Sequence, residues 1–291
     1  MRGRRPEASA GGLLLVDKPA GVTSHDVVAV ARRALRERRI GHAGTLDPFA
    51  TGLLVLLVGR ATRLLPYLSG EPKVYEASIR FGFETSTDDL TGEPTVTAPP
   101  PALDAIRAAL PSLTGELRQL PPAYSAKQVA GERAYDAARR GAPLALAPVP
   151  VTVHDWSLGV FRDGELDVTV TCSGGTYVRA LARDLGRAAG GAAHLTRLRR
   201  LRSGPFDVRD ATPLAALEQG GVALRPPIDA LGTLAVDAMD EAAVQRLLRG
   251  MPVPAAAAGE WGALVDESRA LVAVAERVGD AWQPRVVLRD A

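Results

Sequence analysis

Gly41-His42-Ala43-Gly44-Thr45-Leu46-Asp47-Pro48 sets one carboxylate on a glycine-bracketed turn, closed from behind by proline. Gly41 and Gly44 open backbone angles denied to other residues, while Pro48 fixes its own φ and biases Asp47 toward an extended conformation. Such a turn can aim a carboxylate in a fixed direction at the lip of a cleft. It supplies no phosphate cradle, because the Gly-Lys-Ser/Thr ending of a P-loop is missing. The apolar run that follows, Leu53 to Val58 between Gly52 and Gly59, has the length of a buried strand rather than a helix. An isolated Asp-Pro would read as a turn whose side chain bonds its own backbone. The rest of the chain decides between the two.

Upstream, Gly12 to Asp17 reads as a short strand ending in a Lys-Pro turn, and Ser24 as the cap of a helix to about Arg39. Val27, Val28, Ala31 and Leu35 fall on one face of that helix and Arg32, Arg36 and Arg39 on another. Downstream, Arg60 to Leu68 is a short helix, and Lys73 to Phe83 alternates as a half-buried strand does. Phe83 to Pro101 is polar and broken by Gly and Pro, which predicts loop; Ala102 to Ala109 predicts a helix stopped by Pro111. Gln119 to Pro150, with tandem prolines and an amphipathic Gly131–Arg140 helix, reads as a projecting insertion. Val151–Trp156 and Leu166–Thr171 are predicted strands, and a helix over Tyr177–Ala188 follows the Ser173-Gly174-Gly175 turn. Beyond a helix near Leu214–Glu218 and the linker-like Arg225-Pro226-Pro227, short apolar runs at Gly262–Val265 and Leu271–Val274 suit a small β-rich module.

Composition excludes several classes. A chain of 291 residues, 46% hydrophobic and 23% charged, is an ordinary globular chain of one large domain or two. One cysteine, Cys172, cannot build a disulfide framework and fits a reducing cytosol. No stretch approaches the ~18 apolar residues of a membrane span. The basic start Met1-Arg2-Gly3-Arg4-Arg5 is followed by too short an apolar stretch for an export signal, so residues 1–10 read as a loose basic tail and the expected location is the cytoplasm. His25, His42, His154 and His194 show no ligand spacing, so no metal is expected. Neither Ser125 nor Ser173 sits in a Gly-x-Ser-x-Gly elbow. The net charge of +2 hides an asymmetry: residues 1–40 hold nine Lys/Arg against four acids, and 178–209 hold eight Arg against two Asp. Two positive segments on one cleft would attract a phosphate backbone. Residues 230–291, with six Arg against nine acids, would not.

The longer run Gly41 to Gly52, ending Pro48-Phe49-Ala50-Thr51-Gly52, has ordered companions. These are Asp17-Lys18-Pro19, Lys73-Val74-Tyr75, Pro121-Pro122-Ala123-Tyr124-Ser125-Ala126, Gly175-Thr176-Tyr177-Val178-Arg179 and Leu198-Arg199-Arg200-Leu201. In these motifs, over about residues 11 to 205, the chain resembles the TruB family of pseudouridine synthases.

The resemblance implies an α+β (mixed α/β) fold: a catalytic domain at 11–230 on a mixed, largely antiparallel sheet, with the insertion at about 119–150, and a C-terminal PUA-like RNA-binding module at 231–291. It implies isomerisation of uridine to pseudouridine in the T-loop of tRNA (uridine 55, the TΨC arm), without a cofactor, and an accompanying tRNA-folding chaperone activity. Asp47 would be the nucleophile and Arg179 the cation beside it, favouring its ionised form. Tyr75 would stack on the flipped base, Tyr177 and Leu198 would line its pocket, and His42 would fill the gap left in the RNA stack. The expected partner is the tRNA T-arm stem-loop, with no membrane or metal, and the expected state is a monomer. A chaperone without chemistry would share His42, Tyr75 and the basic segments, but it would have no need of Asp47. A synthase acting on another RNA is the remaining alternative.

Overall fold

Leu53, Val55 and Leu57 enter one hydrophobic cluster, while Leu54, Leu56 and Val58 enter another. The strand Thr51–Val58 is therefore buried on both faces, which is why its sequence shows no polar alternation. The structure is a computed structural model describing residues 11–289 other than Ser69, Ala126, Ala130, Gly131 and Pro143. The tail expected at 1–10 lies outside the described residues.

The chain forms two compact units, one built from residues up to Pro48, Gly52–Gly70 and Pro205 onward, the other from Phe49–Thr51 and Glu71–Gly204. The first unit opens with β1 (Gly12–Lys18), α1 (Ser24–Leu35), β2 (Ile40–Ala43) and β3 (Thr51–Val58), followed by a 3₁₀ helix over Gly59–Tyr67. β3 runs antiparallel to β1, from Gly52 opposite Lys18 to Val58 opposite Gly12, and antiparallel to β2. Val27, Val28 and Ala31 of α1 cover one of its faces.

The second unit contains β4 (Lys73–Phe81), β5 (Phe83–Thr85), β6 (Pro94–Thr97), α2 (Leu103–Ala109), β7 (Gly115–Gln119), β8 (Gln128–Val129) and β9 (Glu132–Arg133). It continues with α3 (Ala134–Arg139), β10 (Val149–Arg162), β11 (Glu165–Cys172), α4 (Val178–Ala188) and β12 (Ala193–Ser203). Its sheet has the order β12-β4-β11-β10-β7 and is antiparallel throughout. α4 lies close against this sheet: a Cβ at Gly186 would come 2.5 Å from the Ala193 amide nitrogen.

The chain then returns to the first unit with β13 (Phe206–Asp207), β14 (Thr212–Pro213), α5 (Leu214–Gln219), β15 (Ala235–Ala238) and α6 (Glu241–Leu248). The last strands are β16 (Val253–Pro254), β17 (Trp261–Val265), β18 (Leu271–Val278) and β19 (Ala281–Val287). They make a five-stranded sheet of order β15-β17-β18-β19-β16. β14 joins β1, and β15 joins β17, in parallel; the strand pairs described above are antiparallel. The α+β reading with a mixed, largely antiparallel sheet and a β-rich C-terminal region therefore holds.

Several elements differ from the sequence reading. Thr23, not Ser24, caps α1: its hydroxyl accepts the Asp26 amide, and the Asp26 carboxylate accepts the Thr23 amide in return. α1 ends at Leu35, because Arg36 turns left-handed at φ 51°. Phe83–Pro101 holds the β5–β6 hairpin rather than loop alone. β12, β7, α6 and β19 were not legible in the sequence pattern, and Gly59–Tyr67 winds as 3₁₀ around Pro66.

Candidate active site

In the first unit Asp47 lies, half-buried, on the connection from β2 to β3. Gly44 opens this connection at φ 84°, a left-handed conformation that strains any residue with a Cβ. Both neighbours of Asp47 are bonded to the stretch from Lys18, the end of β1, to Ser24, the start of α1. On the leading side, the Leu46 amide donates to the Ser24 hydroxyl at 2.9 Å, and that hydroxyl donates to the Leu46 carbonyl at 3.2 Å. On the trailing side, the Pro48 carbonyl accepts the Gly21 amide at 2.8 Å and the Lys18 ammonium at 3.3 Å. Lys18 is fully buried and also donates to the carbonyls of Pro19 and Val22. His42 stands on β2 opposite Leu56, on a strand rather than on the turn read from the sequence. Its ring meets the exposed His25 of α1 edge to face, with centroids 5.6 Å apart.

The second unit holds Tyr75, Tyr177, Arg179 and Leu198. Tyr75 (on β4) and Leu198 (on β12) are both buried; Tyr75 pairs with Arg200, and Leu198 with Ala77. They are diagonal neighbours on one face of the sheet, within side-chain reach. Lys73 shares that face two residues along β4. Burial, and then the charge of Arg200, hold its ammonium below the ordinary lysine range. Tyr177 is the N-cap residue of α4, and no side chain of its own caps the helix. The Gln119 amide does part of that work, accepting the Tyr177 N–H at 2.9 Å and donating to its carbonyl at 3.1 Å.

Arg179 is 4% exposed. Its guanidinium donates to the carbonyls of Thr87 (2.8 Å) and Tyr124 (2.9 Å) and pairs with the Asp89 carboxylate at 3.3 Å. Arg183 and Arg187 follow at four-residue spacing, on the same face of α4. Arg183 pairs with buried Asp88 at 2.8 Å, and Arg187 grips Glu84 through two bonds of 2.6 Å. Burial pushes the Asp88 carboxyl up, against the lowering effect of Arg183 and Arg179. These acids sit in the segment read from sequence as loop. Only the four-residue arginine spacing could have pointed to their partners.

Among the described residues there is no group of three or more His, Cys, Asp or Glu able to hold a metal ion, and no helix long and apolar enough to cross a membrane.

The fold has counterparts among solved structures. A solved Cbf5–Nop10–Gar1 complex shares the fold, at a TM-score of 0.75, covering 98% of this chain and 88% of that one at 24% identity. The family profile described as "TruB family pseudouridylate synthase (N terminal domain)" matches residues 32–178, and "tRNA pseudouridylate synthase B C-terminal domain" matches 179–227. The protein named tRNA pseudouridine synthase B in Gloeobacter violaceus is 47% identical over 290 residues, 95% of this chain and 98% of its own. Its counterpart in Thermobifida fusca is 44% identical over 289 residues, 96% of this chain and 98% of its own. The chain belongs to the TruB family, and as a pseudouridine synthase it is an isomerase.

Proposed function

We propose that the chain isomerises uridine to pseudouridine in the T-loop of tRNA, at uridine 55, with Asp47 as nucleophile. The observation that carries this reading is the bonding of Asp47's two neighbours: Leu46 and Pro48 are both tied through their backbones to the segment from Lys18 to Ser24. A carboxylate meant only to bond its own turn would need no such outside support. The relatives' name, tRNA pseudouridine synthase B, supplies the substrate class.

In this reading the target nucleotide swings out of the RNA and His42 occupies the space it leaves, offsetting part of an unstacking cost of a few kcal/mol. Tyr75 stacks on the extruded base, and Tyr177 and Leu198 close its pocket. Arg179 is the cation assigned to favour the ionised form of Asp47. The Asp47 carboxylate attacks and forms a covalent bond to the nucleotide, the C1′–N1 bond breaks, the base turns, C5 bonds to C1′ in place of N1, and the bond to Asp47 breaks to return the free carboxylate. The proton displaced from C5 passes to solvent as N1 gains one, so no atoms are gained or lost overall and no redox partner is called for. The insertion at about 119–150 closes over the hairpin loop, and residues 231–291 form a PUA-like module that adds RNA contacts. The enzyme works as a cytoplasmic monomer.

The test is tritium release from tRNA labelled at uridine C5. The wild type releases label, and Asp47→Asn releases none while keeping its affinity for tRNA. If Asp47→Asn turns over, Asp47 is not the nucleophile. If the wild type itself is inactive and still refolds tRNA, the chain is a chaperone alone. Mapping pseudouridine in tRNA from a deletion strain fixes the position.

A further inference from the structure

We infer that Ser24 is a positioning residue for the reaction: its hydroxyl sets the direction in which Asp47 presents its carboxylate. This rests on the reading of Asp47 as nucleophile.

Serine at a helix start is ordinarily spent on capping, but here the capping is already done. Thr23 and Asp26 satisfy one another's backbone N–H groups at 3.1 and 2.8 Å, with a further bond between their side chains at 2.7 Å. Ser24, one residue on and 1% exposed, has its hydroxyl free for other use. It reaches 22 residues along the chain to Leu46, accepting the amide N–H and donating to the carbonyl of the same residue. One small group thus satisfies both polar groups of a buried backbone unit and fixes the peptide that leads into Asp47. The chain that leads out has its own restraints: the Pro48 ring fixes φ of Pro48, and the bonds from Gly21 and Lys18 hold the Pro48 carbonyl one peptide further on. With exit and entry both held, little backbone rotation is left at Asp47.

Leu46 as a whole residue is 4% exposed, so water has poor access to its backbone groups to replace a lost hydroxyl. Ser24→Ala leaves an amide and a carbonyl short of a partner, and the entry peptide tilts to find others. Attack on a sugar or base carbon is sensitive to such tilts, since a displacement of about 1 Å in a reacting group can cost on the order of a hundredfold in rate.

The experiment compares single-turnover rates, tRNA affinity and thermal unfolding for Ser24→Ala, Ser24→Cys, Thr23→Ala and Asp47→Asn in the full chain. Ser24→Ala is expected to slow the single-turnover step by about tenfold or more, with tRNA Kd unchanged to within about twofold. Thr23→Ala removes the helix cap and lowers the melting temperature, yet keeps its single-turnover rate to within about twofold. Ser24→Cys, nearly the same size but a weak donor and acceptor, falls between Ser24→Ala and wild type. A wild-type rate in Ser24→Ala overturns the inference. So does equal slowing in Thr23→Ala, which would reduce the effect to helix stability. Should Ser24→Ala not fold, a wild-type rate in Ser24→Cys overturns it and an intermediate rate supports it. An active Asp47→Asn defeats the underlying reading instead, and is told apart because it leaves the Ser24 comparison unaffected.

Discussion

The carboxylate turn of the first unit and the arginine helix of the second are immobilised by opposite means. Around Asp47 the restraints described above end on backbone groups of Leu46 and Pro48, contacted by a hydroxyl, an amide and one ammonium. Around α4 they are ion pairs: Arg179 with Asp89, Arg183 with Asp88, Arg187 with Glu84. A neutral bond to backbone fixes direction while adding little to the local field. A buried ion pair holds strongly but penalises the loss of either partner far more than that of a neutral group. The two halves should therefore fail differently: the turn by losing rate, the helix by losing stability.

The sharpest way to break that contrast is Asp88→Ala. Both side chains of its pair with Arg183 are about nine-tenths buried, so removing the acid leaves the guanidinium with Asp184 at 2.9 Å and the Leu120 carbonyl at 3.0 Å and should cost about 3 kcal/mol in chemical denaturation. A loss no larger than that of Thr23→Ala would erase the distinction. Next comes Cys172, fully buried on β11, whose thiol burial pushes up from an ordinary value near 9 to about 11. Because the folded pKa is the higher one, the thiol's contribution is intact below about pH 9 and is lost as pH rises through about 11. The stability lead of wild type over Cys172→Ala should shrink across that window, by on the order of 2 kcal/mol. A constant lead would contradict it. The smallest effect is expected at Gln119, the neutral exception in the second unit. Gln119→Leu removes both its bonds to half-buried Tyr177 and should cost about 1 kcal/mol, since water can reach the freed groups. A loss matching Asp88→Ala would show that charge is not what separates the two units.

The same chemistry governs what the sequence disclosed. β1, β3, β4 and β11 were legible because apolar residues dominate them or alternate cleanly. The turn at Asp47 was legible because Gly and Pro act locally. β12 was hidden: its Arg197, Arg199, Arg200 and Arg202 read as a charged surface, yet Arg200 is 1% exposed, and two register shifts break the alternation. The β5–β6 hairpin was masked by proline and glycine, and α6 by its shortness. Asp47, Arg179, Tyr75, Tyr177, Leu198 and His42 could all be named from motifs. Ser24, Gln119, Asp88 and Asp89 could not, because each acts through a residue distant in the chain, and one sequence carries no record of that pairing.

β3 carries a last consequence. With Leu53, Val55 and Leu57 serving one core and Leu54, Leu56 and Val58 the other, sliding the strand by a single residue would expose nothing greasy to water. It would only exchange the lodgers of two dry compartments. Polarity cannot police such an error, so the shapes of leucine and valine must. Transposing the two kinds along this segment, at constant hydrophobicity, would show how much of the enzyme's geometry depends on a methylene.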